Sequence, residues 1–241
     1  MSAPIPFQLD PRLDPSALHA AYRTHQRLHV RGILAGDGAQ ILHRHLDREV
    51  GWSLALNDGK EVREALPEQR ARMPAEREHE LMSYAYAGAR QGFQFLYECC
   101  RIPDEAEARS REPTLLNRFG DFLNSAPFIE FARALTGFAD ISWADGQATR
   151  YAPGHFLTRH DDSSGAKNRR VAYVMNLTPA WNADWGGQLQ FLDADGHISR
   201  AYVPRFNAMN LFTVPQLHAV SFVSPFAGAA RYSVTGWLRA R

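Results

Sequence analysis

Hydrophobic positions change their spacing near residue 140, and the change divides the chain into two textures. Before it, apolar residues recur at helical intervals. In SAPFIEFARALTGF, Ser125 can cap a helix whose stripe is Phe128, Phe131, Ala132 and Leu135, and Gly137 stops it. A second helix is predicted after Asp37, with Ile41, Leu42, His45 and Leu46 on one face. A third is predicted from Ala75 to about Cys100, its last part being the apolar run GFQFLYECC. Two short strands accompany them: LHVRGILA (Leu28 to Ala35) and WSLALN (Trp52 to Asn57), the latter ending in the turn signal Asn57-Asp58-Gly59. The charged stretch KEVREALPEQRARMPAEREHE reads as a surface connection, and DEAEARSREP as a loop.

From Ile141 onward short apolar runs are separated by Gly, Pro, Asn and Asp: ISWADGQATRY, HFLTRH, RVAYVMNLTP, GQLQFLD, ISRAYVP, NAMNLFTV, LHAVSFVSP and RYSVTGWLRA. Strands at this spacing predict a sandwich or jelly roll. Helices first and strands after is α+β ordering rather than βαβ alternation. The expected organisation is one domain over residues 1–241, with 1–135 mainly helical support carrying early strands and 136–241 the sheet-rich half. There is no internal repeat and no low-complexity segment.

Composition narrows the function classes. With 45% hydrophobic and 22% charged residues the chain reads as globular, and a formal net charge of +1 gives no global reason to expect nucleic acid or an anionic membrane as partner. The start, MSAPIPFQLDPRLDPSAL, does not read as a signal peptide, and no segment approaches the ~20 apolar residues of a membrane span. Cys99 and Cys100 are adjacent, which disfavours a bridge between them; they read as thiols near a helix end in a reducing cytoplasm.

Chemistry concentrates in RHDDSSG. If HFLTRHDD is extended, His160 and Asp162 share a face about 6–7 Å apart, and Asp161 points away. They could share one ion, with His218 in LHAVSFV as the third ligand. Two histidines and a carboxylate form the facial triad of non-haem Fe(II), with coordination positions left open. Turn capping explains the same aspartates, and among ten histidines a downstream partner is easy to find, so spacing alone leaves both readings standing. RYSVTGW adds Arg231 and Ser233 on one strand face, a guanidinium and a hydroxyl suited to a carboxylate. An edge-strand ion pair would explain Arg231 equally, but the apolar surroundings favour a central strand.

Taken in order, RYAPGHFLTRHDD, RRVAYVMNLTPAW, GGQLQF, NAMNLF, LHAVSFV and RYSVTGW resemble the Fe(II)- and 2-oxoglutarate-dependent dioxygenases. Within them the chain is most similar to the prolyl-4-hydroxylase-like branch, including enzymes that modify ribosomal or translation proteins. The resemblance covers roughly Thr136 to Arg241, and PFIEFARALTG with the opening from Leu28 resembles the family's support region. It implies a double-stranded β-helix (jelly roll) backed by N-terminal helices. It also implies iron ligands at His160, Asp162 and His218, and a 2-oxoglutarate carboxylate held by Arg231 with Ser233. Tyr151 stands where the family often has a tyrosine in the cosubstrate pocket; a strand aromatic in the core is the alternative. On the strand after the metal motif, relatives often carry a tyrosine that contacts 2-oxoglutarate; Asn176 matches that position, with Tyr173 three residues earlier.

The implied reaction consumes 2-oxoglutarate and O2 at Fe(II), releases succinate and CO2, and hydroxylates a C–H bond. The implied target is a prolyl residue of a protein, a translation component among the options. A free amino acid or small metabolite is the alternative substrate, and a jelly-roll binding module without catalysis the alternative class. Lys167, Arg169 and Arg170 in SSGAKNRR could face a substrate, or form a solvated loop. Trp181 and Trp185 beside Gly186-Gly187 could cover a groove, or pack on the barrel end. His43 and His45 lie on different helix faces, which argues against a second metal site.

Overall fold

A computed structural model of the protein describes residues 6–59, 61–163 and 168–240. In chain order its first elements are α1 (Pro15–His25), β1 (Arg27–Arg31), α2 (Gly38–Arg48), β2 (Ser53–Asn57), β3 (Val62–Ala65), α3 (Pro67–Arg70), α4 (Ala75–Ala89) and β4 (Phe95–Ile102). Three helices follow: α5 (Ala106–Arg111), α6 (Leu115–Leu123) and α7 (Ala126–Thr136). The remainder is strand: β5 (Trp143–Ala144), β6 (Gly146–Tyr151), β7 (Phe156–His160), β8 (Arg169–Asn176), β9 (Leu189–Leu192), β10 (Ile198–Tyr202), β11 (Ala208–Thr213), β12 (His218–Val220) and β13 (Arg231–Arg239).

The strands follow one hydrogen-bonded path, β1-β11-β8-β13-β6-β4-β7-β12-β9-β10, with β2 and β3 continuing from β4. The turn from β4 to β7 folds the path on itself, so β7, β12, β9 and β10 form a second face opposite the long sheet. This is the expected jelly roll. β8 explains why its run is apolar throughout. Val171, Tyr173 and Met175 join the large core beneath the helices, whereas Ala172 and Val174 face Leu189, Phe191 and Phe212 between the sheets. A strand buried on both sides shows no alternation. β13 lies between β8 and β6, as its composition suggested.

The helices cover the outer face of the long sheet. Leu42 and Leu46 of α2, Phe119 and Phe122 of α6, and Phe128 and Leu135 of α7 belong to the same core as Met175 and Val234. α7 ends as predicted, with Gly137 at φ 81°, a left-handed conformation that costs glycine nothing.

Four expectations need correction. The third helix stops at Ala89, and most of GFQFLYECC is β4. Phe95 and Cys99 pack on one side of that strand and Leu96 on the other, so the run has the period of a two-sided strand. Cys99 and Cys100 are therefore free thiols on a sheet strand, not at a helix end. The charged connection contains β3, paired with β2 through the Asn57-Asp58-Gly59 turn, and α3. The loop DEAEARSREP contains α5, and α6 was not anticipated, although Thr114 caps it by accepting from Asn117 N and Leu116, Phe119 and Leu123 form its buried stripe. Among the described residues, no helix is long and apolar enough to cross a membrane.

Candidate metal and cosubstrate site

β7 and β12 run antiparallel with His160 directly opposite His218, and their rings lie 4.1 Å apart. Each imidazole donates its Nδ1–H to the carbonyl two residues before it: His160 to Thr158 O at 3.0 Å, His218 to Gln216 O at 2.8 Å. That bond fixes the tautomer and leaves each Nε2 lone pair free. Asp162 reaches them by a route the sequence did not indicate. It lies beyond the end of β7 at φ 61°, in the left-handed region, so a turn rather than strand alternation brings its carboxylate back. Its Oδ1 is 3.4 Å from His160 Nε2 and its Oδ2 is 3.6 Å from His218 Nε2. The three ligand atoms lie within 4.8 Å of one another, the one such His/Cys/Asp/Glu group among the described residues.

Electrostatics keep these groups in ligating form. Burial, reinforced by the neighbouring His160, pushes His218 down to about 4, so it is neutral at neutral pH. Burial tends to raise the Asp162 carboxyl, but hydrogen bonding and charge from the two imidazoles and the Trp237 N–H outweigh it and hold the group ionised. Two imidazoles with free Nε2 atoms and one carboxylate suit a ferrous ion with open coordination positions. Trp237 Nε1 donates to Asp162 Oδ2 at 3.0 Å, and Arg169 Nη1 to Asp162 O at 3.2 Å.

The triad opens into a cavity of about 640 Å³ between the sheets. On its wall, Arg231 is 1% exposed, and its Nε and Nη1 have no hydrogen-bond partner. Its guanidinium sits 5.1 Å from the centroid of the Tyr151 ring. Burial draws its pKa below the ordinary arginine value. A buried guanidinium without a counter-charge carries a desolvation cost of several kcal/mol. It faces the cavity that also holds the triad, with its own donors unfilled. The residues present therefore fit an iron and an organic diacid together.

Comparison with known proteins agrees. Residues 146–239 match the family model described as the 2OG-Fe(II) oxygenase superfamily, a span that includes all three triad residues and Arg231. The likeness to that superfamily rests on these 94 residues, fewer than half of the chain's 241. Its likeness within that superfamily is to the prolyl-hydroxylase branch. It is 31% identical over 100 residues to prolyl 3-hydroxylase OGFOD1 of Mus musculus, covering 39% of this chain and 18% of that protein. Against the Xenopus laevis protein of the same name it is 30% identical over 140 residues, covering 55% of this chain and 25% of the relative. The matches thus span a quarter or less of those relatives. The fold is shared with a Pseudomonas putida prolyl-4-hydroxylase (TM-score 0.59, 20% identity, 95% of this chain and 100% of that one). It is shared also with a Trichoplax adhaerens prolyl hydroxylase solved with a hypoxia inducible factor peptide fragment (TM-score 0.61, 16% identity, 94% and 89%).

The other expected site residues fall into four groups. Tyr151 lines the cavity, stacked on Tyr97 at 5.3 Å, and burial raises its phenol pKa, so it stays protonated. Ser233 and Asn176 are not among the described residues lining the cavity. The Ser233 hydroxyl is bonded to Thr149 Oγ1 at 2.8 Å, and Thr149, its cross-strand partner, reaches the wall instead. Asn176 donates to Val174 O and Ala208 O, and its amide is fixed in the sheet. The basic loop divides. Arg169 lines the cavity with its guanidinium 3.5 Å from the Trp237 ring centroid, Arg170 grips Asp140 at 2.7 and 3.0 Å, and Lys167 lies outside the described residues. Trp181 and Trp185 contact each other edge to face at 5.3 Å, Trp181 Nε1 donates to Gly186 O, and neither lines the cavity. Trp181 packs against the cluster of Tyr151, Val220 and Val223, and Trp185 lies beside Gly228. Trp237 and Thr149 were missed; strand alternation from Arg231 would have flagged Trp237.

Proposed function

We propose that this protein is a 2-oxoglutarate-dependent dioxygenase that hydroxylates a prolyl residue of a protein or peptide, residues 1–241 acting as one catalytic domain. The observation that carries this is the convergence of His160, Asp162 and His218 in a cavity that also exposes the unpaired donors of Arg231. The Nε2 atoms of His160 and His218 and the Asp162 carboxylate would hold iron. When bound, Fe(II) with 2-oxoglutarate and O2 supplies the oxidation that turns an unactivated C–H bond into C–OH, with succinate and CO2 released. Arg231 binds the far carboxylate of 2-oxoglutarate through its free Nε and Nη1, and Thr149 takes the hydroxyl role expected of Ser233. Trp237 orients the Asp162 carboxylate through its N–H. Leu189, Val220 and Phe212 exclude water from the space between.

The prolyl target is supported by the similarity to two prolyl 3-hydroxylases, and by a cavity whose volume leaves room beyond a small diacid. A translation component as the protein modified, and a reducing cytoplasm as the setting, complete the proposal; free Cys99 and Cys100 are compatible with that compartment. The test is peptide mass spectrometry of lysate proteins treated with the Fe(II)-loaded enzyme. A prolyl peptide heavier by one oxygen atom, only when 2-oxoglutarate is added, is the expected result. 2-Oxoglutarate consumption stimulated by a free amino acid, with no modified peptide, would reassign the substrate.

A further inference from the structure

The open edges of the two sheets carry a cluster of arginines that the oxygenase site does not use. β1 is the free edge of the long sheet, and Arg27, His29 and Arg31 lie opposite Phe212, Asn210 and Ala208 of β11. Phe212 packs between the sheets with Leu189 and Phe191, so strand alternation sets these three residues on the inner side. β10 is the free edge of the second face, where Arg200 lies opposite Phe191 and Tyr202 opposite Leu189, again on the inner side. The two edges confront each other. The Arg27 guanidinium sits 4.8 Å from the Phe191 ring centroid and reaches Ser199 Oγ at 3.3 Å. The His29 and Tyr202 rings are 5.4 Å apart, and Arg200 lies 6.0 Å over Tyr202. Arg205, in the turn between β10 and β11, comes close enough, with Arg31, to act on the charge of His29.

These cations lack the carboxylate partners that several other arginines of the molecule have. Arg63, Arg70, Arg77, Arg109, Arg150, Arg170 and Arg239 each sit against a carboxylate. Among the described residues, Arg27, Arg31, Arg200 and Arg205 form no ion pair, and the hydrogen bonds of Arg27 go to neutral Gln216 and Ser199. The balance of the whole chain, +1, hides this local excess. All four are arginines, whose planar forks match phosphate oxygens. Side chains on one face of β1 repeat at about 7 Å, an extended array suited to an extended polyanion, and the His29–Tyr202 pair adds aromatic surface beside it.

We propose that this cleft binds the phosphate backbone of a single-stranded nucleic acid, with Arg27, Arg31, Arg200 and Arg205 as the phosphate contacts. The binding is separate from the oxygenase reaction and needs neither metal nor 2-oxoglutarate. Three to four contacts on a single strand give a slope of log affinity against log salt of about −2 to −3.

The test is fluorescence anisotropy of a labelled oligouridylate of about a dozen nucleotides with the full-length protein, as a function of salt. Arg31, Arg200 and Arg205 are exposed, and no hydrogen bond anchors them, so the triple variant R31Q/R200Q/R205Q preserves the fold. It should weaken binding at least tenfold and bring the salt slope toward −1. The control R63Q/R77Q/R111Q removes the same charge from other surfaces and should bind as the parent does. Absence of binding at low salt, equal loss in both variants, or tighter binding of a polyglutamate peptide than of the oligonucleotide would overturn the proposal. In those cases the arginines only keep two strand edges from pairing, or serve an acidic polypeptide.

Discussion

Arg231 is the residue with most to gain from a ligand, because its guanidinium is buried and two of its donors are unfilled. Removing one partner of a buried charge pair typically costs about 2–5 kcal/mol. Arg231→Met should therefore weaken 2-oxoglutarate binding about thirtyfold or more, read by calorimetry with Mn(II) in place of iron, while Mn(II) itself binds unchanged. The same variant should melt higher than the parent without ligand, since it removes an uncompensated buried charge; a lower melting temperature would mean that the guanidinium is satisfied in the free protein. Trp237→Phe keeps the ring but deletes the N–H that holds Asp162 Oδ2. Loss of such a supporting bond costs about 10–100-fold in metal affinity, and a Co(II) titration would show it. His160, His218 and Arg231 were legible as polar residues on apolar strands, whereas Asp162 stood out only by its place two residues after His160, and the turn that brings it back was not legible. Thr149 and Trp237 were not, since their parts depend on which strand lies alongside: Thr149 matters because it faces Ser233 across β6 and β13.

Among the elements, β1, α2 and the β6–β7 turn each hold a histidine that burial makes less basic: His29, His43 and His155. In the unfolded chain they protonate near pH 6.5, but in the fold they resist protonation to lower pH. Between those values the unfolded state binds more protons, so stability is full above about pH 6.5 and falls as the solution is acidified. Urea midpoints should decline from pH 7.5 to 5.5, and His155→Gln should flatten that decline; an unchanged slope would show that His155 takes up its proton equally in both states. Element type was readable where periodicity was strong, as in α7, and where turn residues bounded a short β-branched run, as in β8. It failed at GFQFLYECC, where a continuous apolar run fits a buried helix and a buried strand alike. It failed again at β3, whose VREA offers only Ala65 to the apolar cluster and is marked as a strand by its pairing with β2.

At the scale of the molecule, the path of the sheets turns residues remote in sequence into neighbours. β7 and β12 meet in the second face, and β13 lies across the cavity in the long sheet. Ordering of strands could be inferred from the resemblance to the dioxygenases, whereas their lateral order could not be read from periodicity. Net charge misled in the same way: +1 overall coexists with an uncompensated arginine cleft at the open edges. The most direct test of the oxygenase reading is succinate formation from 2-oxoglutarate in air by the protein loaded with Fe(II), compared with His160→Ala and Asp162→Asn. Succinate should appear with the parent, require Fe(II), and stop in both variants while their fold, by circular dichroism, is retained. Succinate formed at the parental rate by either variant would contradict the assignment of these side chains to iron.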